Sequence, residues 1–390
     1  MWWVSAALAT TYGGGDWGGA DLFLVQGDTA EGVFTNVGRF VVLPGVTVPV
    51  ASSLDVEAAS VEIHGTLDAT GGGYAAGEQG WPAHDGTGPA GGIGAEGRPP
   101  HAGGGGNGGA GGAGAAGGNC GAGYAGGPEV GDPWIALEGS GGGANYRRGG
   151  DGGAVLRLVG DDVLVGLTGV LRADGQAGGI GGFSAYDGGG GGGGAGGGIE
   201  LVGTTSVHVV GTLSAVGGEG AQGYSYYGCA AGGGGGGGGG RIVVSGPFTG
   251  DTSRWSAAGG VGGPTYHGAG LGQTGGAGTI WLEDGLAATD PVVSLSGTCP
   301  GEVALDVTGA SSFARLEVWR GGGAGGAALP SGACSGTASG LSAPVLVATL
   351  QADANGELSV SRTLAAQACG LSVVVVDAWT CGVSNVEVVP

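Results

Sequence analysis

Glycine sets the terms on which this chain can fold: 106 of its 390 residues are Gly, and 82 of those lie between residues 71 and 290. Glycine loses the most backbone entropy on folding and gives a core no side chain, so such a region orders only if a repeated arrangement compensates. A collagen triple helix is excluded, because it needs Gly at every third position with abundant Pro, and this chain has 15 Pro and long uninterrupted Gly runs. Disorder is not the default either, since charged residues make up 11%, hydrophobic residues 41%, and mean hydropathy is +0.24.

The compensating repeat is in the sequence. Gly65-Thr66-Leu67-Asp68-Ala69-Thr70-Gly71, Gly169-Val170-Leu171-Arg172-Ala173-Asp174-Gly175 and Gly211-Thr212-Leu213-Ser214-Ala215-Val216-Gly217 share the pattern G-[TV]-L-x-A-x-G. Alternating apolar stretches precede each copy, and Gly runs lead into Val155–Leu158, Ile199–Val202, Arg241–Val244 and Thr279–Leu282. The interval from Gly169 to Gly211 is 42 residues, a period that means a stacked array of short strands. A lone unit cannot bury its apolar face, so successive coils are expected to stack as a parallel β-solenoid.

One Gly segment keeps a finer period. Asn107, Ala110, Ala113, Ala116 and Asn119 recur at every third residue between Gly106 and Asn119. Three residues per turn is the period of polyproline II, whose extended backbone has no internal hydrogen bonds and must find them laterally. Bare Gly on the other faces lets such chains approach closely, which predicts polyglycine II packing. The expected fold class is therefore all-β: N-terminal strands or a solenoid cap over 1–58, a Gly-rich repeat solenoid with polyglycine II excursions over 59–290, and a small β-sandwich over 291–390. The sandwich is read from alternating stretches such as Glu302–Val307, Ala314–Trp319, Pro344–Leu350 and Leu371–Asp377.

The six cysteines, Cys120, Cys229, Cys299, Cys334, Cys369 and Cys381, fit no CxxC or zinc pattern, so three disulfides in an oxidising compartment are expected. The pairing favoured is Cys120–Cys229, Cys299–Cys334 and Cys369–Cys381, although four Cys in one domain allow three connectivities. Residues Met1–Ala9 read either as the stub of a signal peptide or as a first strand. No run of about 18 apolar residues exists to span a membrane as a helix. The charge of −21, with 32 acidic residues against 11 basic ones that are all Arg, disfavours nucleic acid and anionic membranes as partners.

The G-[TV]-L-x-A-x-G copies and the Gly-run restarts at 188–202 and 232–244 resemble the glycine-rich β-helical surface and adhesin-like proteins exported by bacteria. The period-three segment resembles the polyglycine II bundles of phage tail adhesins and of the snow-flea antifreeze protein. These resemblances imply extracellular display, filament or matrix formation, or adhesion, and carry over no catalytic residue.

Four tyrosines form the candidate binding constellation. Tyr146, Tyr186, Tyr226 and Tyr266 lie 40 residues apart, matching the repeat, and would line one flank with Tyr74, Trp81, Tyr124 and Tyr227 nearby. Aromatic rings suit sugar rings or solid surfaces. The alternative is that each ring plugs the junction between a Gly helix and the solenoid. Asp161-Asp162 and the His-Gly pairs at 64–65 and 267–268 resemble pieces of polygalacturonase-type sites, but the accompanying elements are missing; Asp161-Asp162 is read instead as a turn between strands. No cofactor is expected. Gly149-Gly150-Asp151-Gly152-Gly153 is the candidate calcium segment, but it is single and lacks the tandem copies that share ligands. The expected function is an extracellular structural or adhesive surface protein, not an enzyme, acting by self-association into a filament or by surface or glycan contact. The alternatives are a carbohydrate- or ice-binding module and, third, a polysaccharide-degrading β-helix enzyme.

Overall fold

A computed structural model describes residues 9–79, 83–95, 101–115, 123–145, 147–179, 189–223, 232–265, 270–284, 291–310, 315–323, 325–330, 334, 337–353, 356–377 and 382–390. The fold is all-β, and the chain divides into two compact units, Met1–Leu282 and Glu283–Pro390.

The first unit begins with β1 (Thr11–Tyr12), β2 (Gly15–Asp16), β3 (Leu22–Leu24) and β4 (Thr29–Ala30). Long and short strands then alternate. β5 (Gly32–Val42) is followed by β6 (Thr47–Pro49), β7 (Leu54–Ile63) by β8 (Thr66–Asp68), β9 (Val155–Val165) by β10 (Val170–Arg172), and β11 (Gly198–Val209) by β12 (Thr212–Ser214). β13 (Arg241–Gly246), β14 (Phe248–Gly250), β15 (Trp255–Ser256) and β16 (Thr279–Asp284) complete the series. Among the described residues, the long strands lie side by side in the order β16-β13-β11-β9-β7-β5-β2, and the short ones in the order β15-β12-β10-β8-β6. Pairing within both sheets is parallel, so each strand lies beside its counterpart from the preceding repeat.

Register turns the period-2 pattern into columns. Phe34, Val56, Leu158, Leu201 and Val244 are successive ladder partners, and each is fully buried. Val48, Leu67, Leu171, Leu213 and Trp255 are successive partners in the second sheet, the first four with no exposed surface and Trp255 buried at its end. The shared motif is now explained position by position. Its Leu enters that second column, and its Ala (Ala69, Ala173, Ala215) is fully buried. Its first Gly sits where one corner rests on the next: a Cβ on Gly169 would lie 2.3 Å from the Ile63 carbonyl oxygen, and one on Gly211 2.4 Å from that of Gly169.

The Gly runs that precede the long strands hydrogen-bond in rotation. In the run at 192–197, Gly192 and Ala195 donate to Gly143 and Ser140, Gly193 and Gly196 to Gly235 and Gly238, and Gly194 and Gly197 to Gln176 and Ala173. The run at 235–240 repeats this with Ala102 and Gly105, Gln273 and Gly276, and Gly218 and Ala215. Each neighbouring segment is thus met at every third residue, and the extended chain finds laterally the bonds it lacks internally.

The second unit holds two antiparallel sheets among the described residues. β17 (Val292–Gly297), β18 (Gly301–Thr308) and β21 (Leu358–Leu364) form one in the order β17-β18-β21; β19 (Arg315–Gly321), β20 (Val345–Gln351), β22 (Ser372–Asp377) and β23 (Glu387–Val388) form the other in the order β20-β19-β22-β23. Val303 and Val307 of one sheet share an apolar core with Leu316, Val318 and Val375 of the other. The disulfide here is Cys299–Cys369, with Cα atoms 5.5 Å apart, which corrects the expected Cys299–Cys334 and Cys369–Cys381 pairs. The reason is topological: β18 and β21 pair antiparallel with Gly301 opposite Leu364, so residues just before β18 and just after β21 meet at one end. Cys334 is also disulfide-bonded and buried. Cys120, Cys229 and Cys381 lie outside the described residues.

Candidate functional site

The four tyrosines of the sequence constellation, Tyr146, Tyr186, Tyr226 and Tyr266, all lie outside the described residues, as do Trp81, Tyr227 and His267. Tyr74 and Tyr124 are described, and Tyr74 stands at a built site.

That site is a cleft of about 550 Å³ between the starts of β5, β7 and β9 and the Gly-layer segments that carry Tyr74, Pro89 and Ala136–Glu138. Two of its charged groups, Asp55 and Arg157, come from outward positions of the parallel sheet. Asp55, Arg157 and Glu200 are successive ladder partners on β7, β9 and β11, so register alone puts a cation between two acids. Arg157 Nη1 lies 2.9 Å from Asp55 Oδ1 and 3.7 Å from Glu57 Oε1, and its Nε lies 3.4 Å from Glu200 Oε2. Burial raises the Glu200 pKa, and the Arg157 charge opposes that rise. Burial likewise works against the Arg157 charge, but its bond to Asp55 and the charges of Glu200, Asp55 and Glu57 leave its pKa raised.

On the Gly-layer side, Ser53 Oγ donates to Glu138 Oε1 at 2.6 Å and accepts from the Val155 amide at 3.2 Å, which ties the wall to β9. Tyr74 is 39% exposed and Val33 55%, so the cleft offers a ring and an aliphatic surface beside carboxylates and a guanidinium. Concave sites of this size, mostly apolar with a few oriented polar groups, are suited to small polyhydroxylated ligands: the ring packs on a sugar face while the charged groups bond hydroxyls.

Sequence reasoning named Tyr74 only as a neighbour and missed Asp55, Glu138, Arg157 and Ser53. The signal was available: Leu54-Asp55-Val56 aligns with Leu156-Arg157-Leu158 and Ile199-Glu200-Leu201, so the outward column could have been read from one more copy of the repeat.

The other candidates take structural bonds. Asp161 and Asp162 are not in a turn between strands but within β9, exposed, where they accept from Thr204 Oγ1 at 2.8 Å and Ser206 Oγ at 2.7 Å. A register shift in β11 between Gly203 and Ser206 aligns those hydroxyls, so the two acids mark a bulge that sequence periodicity could not distinguish from a turn. Asp151, in the candidate calcium segment, pairs with both terminal nitrogens of Arg148 and accepts from the Ala76 amide at 2.7 Å. His64 stands 3.8 Å from Glu62. Among the described residues no cluster of three metal-ligating side chains occurs, and no helix is long and apolar enough to cross a membrane.

No protein-family model matches this chain, and no curated protein matches it.

Proposed function

We propose that this protein is an extracellular adhesive scaffold: a glycine-rich parallel β-solenoid, braced on one flank by a polyglycine II bundle and followed by a small β-sandwich, that contacts glycans at the Tyr74–Arg157 cleft. The observation that carries the reading is the cleft, which an exposed ring, Tyr74, lines together with Glu138 and the in-register pair Asp55 and Arg157. The solenoid is supported by side-by-side parallel strands whose inward columns are filled with Val, Leu, Ile and Phe. Polyglycine II is supported by the three-residue rotation of hydrogen-bond partners along 192–197 and 235–240. The disulfide supports an oxidising, extracellular setting.

The proposal includes no turnover and no nucleic acid: Asp161 and Asp162 each bond a neighbouring hydroxyl, and the net charge of −21 repels phosphate polymers. Glycan-array binding is the test. Binding that is lost in Tyr74→Ala with an unchanged circular dichroism spectrum is expected; an array without signal would overturn the glycan reading. Filament assembly is part of the same proposal, through the open ladder ends of the long-strand sheet, and negative staining across a concentration series would reveal it.

A second reading, ice binding, is favoured by one observation. Ala258, Val261 and Pro264 on one Gly-layer segment, and Leu271, Thr274 and Ala277 on the segment bonded to it, are all exposed and three residues apart. Thermal hysteresis measured on the purified chain separates this reading from glycan adhesion.

A further inference from the structure

Alternation in the second unit is broken at two places that face the same space. On β18 and β21, Leu305 opposes Val360 and Val307 opposes Leu358, so these residues mark the face turned toward the other sheet; the next partner pair on that face is Val303 and Arg362. On β19 and β22, Val318 opposes Val375, and the next pair on the same face is Arg320 and Val373. An inward register position of a two-sheet core calls for an apolar side chain. Here each sheet places an arginine instead, and both arginines line one apolar cavity of about 410 Å³.

Arg39, Arg148, Arg157 and Arg172 make ion pairs, whereas among the described residues Arg320 and Arg362, like Arg241 and Arg254, make none, although acidic residues outnumber basic ones 32 to 11. Both are exposed, so their guanidinium groups reach water while their stems flank the cavity. The cavity walls come from Leu295, Leu305, Leu350, Val360 and Leu364. One margin of the two sheets is closed by Asn385, whose side chain accepts from the Val293 amide at 2.8 Å and donates to its carbonyl at 3.0 Å. Along the strand that borders the cavity on another side, Val345 and Val347 remain 52% and 48% exposed.

We propose that this cavity binds a single-chain anionic amphiphile, a free long-chain carboxylate, with its alkyl chain between the sheets and its carboxylate at Arg320 and Arg362. An apolar slot of this volume lined by two donor-bearing side chains matches the composition of small-molecule sites. Guanidinium is the group best shaped to hold a carboxylate by two parallel bonds. A second copy of the chain adding a strand at β20 or β21 is the competing occupant, and it requires neither an anion nor the arginines.

The test is titration of the full-length protein with dodecanoate, dodecanol and dodecyltrimethylammonium, followed by calorimetry and native mass spectrometry. Expected is saturable binding of one dodecanoate, tightening about fourfold for each methylene added from octanoate upward, with the cationic analogue excluded. In the Arg320→Gln and Arg362→Gln double variant, dodecanoate affinity should fall at least tenfold while dodecanol binding stays unchanged, and Lys at both positions should restore part of the loss. Both residues are exposed, so the variants leave the core intact, and an unchanged melting curve checks this. Equal affinity for all three amphiphiles would overturn the arginine assignment. Absence of any saturable binding, or concentration-dependent dimers that dodecanoate does not disturb, would overturn the site.

Discussion

The first unit joins two kinds of order, and they hold together by opposite means. In the strand layer the backbone spacing is that of an ordinary sheet, and specificity comes from side chains: Leu54, Leu156, Ile199 and Ile242 fill one column with no exposed surface. In the glycine layer side chains are what must be missing. A Cβ added to Gly235 would lie 1.9 Å from the Gly112 carbonyl oxygen, and one added to Gly192 2.0 Å from that of Gly103. The glycines of these runs are not there for left-handed conformations, because positive φ values fall at turns and segment ends such as Gly45 (75°) and Gly71 (72°), and none falls between 190 and 198 or 232 and 240. Space, rather than backbone freedom, makes glycine obligatory.

The sharpest way to break this contrast is Gly→Ala within it. At an unstrained position the exchange commonly stabilises by about 0.4–1 kcal/mol, through the unfolded state. In Gly235→Ala and Gly192→Ala the sign should reverse, with losses above about 4 kcal/mol or no folded protein, since neighbouring segments must separate and give up buried hydrogen bonds. Gly13→Ala, where nothing lies within 4 Å of the added Cβ, is the control and should shift the denaturation midpoint little. Equal small effects at all three positions would show that the runs pack loosely. Next in size is the strand layer itself: Leu158→Ala empties part of a fully buried column and should cost about 2–5 kcal/mol in chemical denaturation, without altering the glycine layer's spacing.

The two layers were also unequally legible in the sequence. The repeat found by aligning Gly65–Gly71, Gly169–Gly175 and Gly211–Gly217 corresponds to β8, β10 and β12 paired in register, because an inward Leu and a corner Gly are both fixed by local stereochemistry. The three-residue period at 106–119 was visible because side chains survive at only one position in three, outward at Ala110, which is exposed, and buried at Asn107, whose side-chain amide donates to the Leu137 and Gly196 carbonyls, while Gly109 and Gly112 donate to Gly239 and Gly236. In runs of pure glycine, such as 232–240, no pattern can be read, since partners are chosen by packing between distant segments. The cleft was missed for a related reason. Glu138 and Ser53 are 85 residues apart and meet only when the long excursion folds back on β7 and β9. The disulfides failed similarly, because antiparallel return of β21 onto β18, rather than proximity in sequence, brings Cys369 to Cys299.

A third test uses the buried imidazole of the glycine layer. His101 is fully buried, and its Nε2 accepts from the Gly232 amide at 3.0 Å, so burial lowers its pKa from 6.5 to about 4. The folded value lies below the unfolded one, so the stability it contributes is complete above pH 6.5 and is lost as pH falls toward 4, by about 3 kcal/mol over the interval. Asp174 and Glu200, whose pKa values burial raises, act in the opposite direction and gain stability as pH falls. Denaturant melts at pH 7, 5.5 and 4 should therefore be compared between the native chain and His101→Gln. The difference between the two curves isolates the imidazole, and a pH-independent difference would remove His101 as the acid-sensitive point of the layer.

The smallest expected effect lies on the strand layer's outer face, and it links stability to the cleft. Arg157 is partly exposed, so its pairs with Asp55, Glu57 and Glu200 are screened by solvent, and each is worth at most about 1 kcal/mol. Arg157→Met keeps the stem that covers the sheet but leaves three carboxylates around one position, Asp55 and Glu200 in its own column and Glu57 beside it. The loss should be about 1 kcal/mol at low ionic strength and should shrink as salt rises, because what remains is repulsion between exposed like charges. Glycan binding should respond more strongly than stability, since the same substitution removes the cleft's guanidinium donor. A variant that melts like the native chain at high salt yet no longer binds separates the two roles. One that binds normally would reduce the Asp55–Arg157–Glu200 column to a lattice of surface charge, leaving Tyr74 alone to carry adhesion.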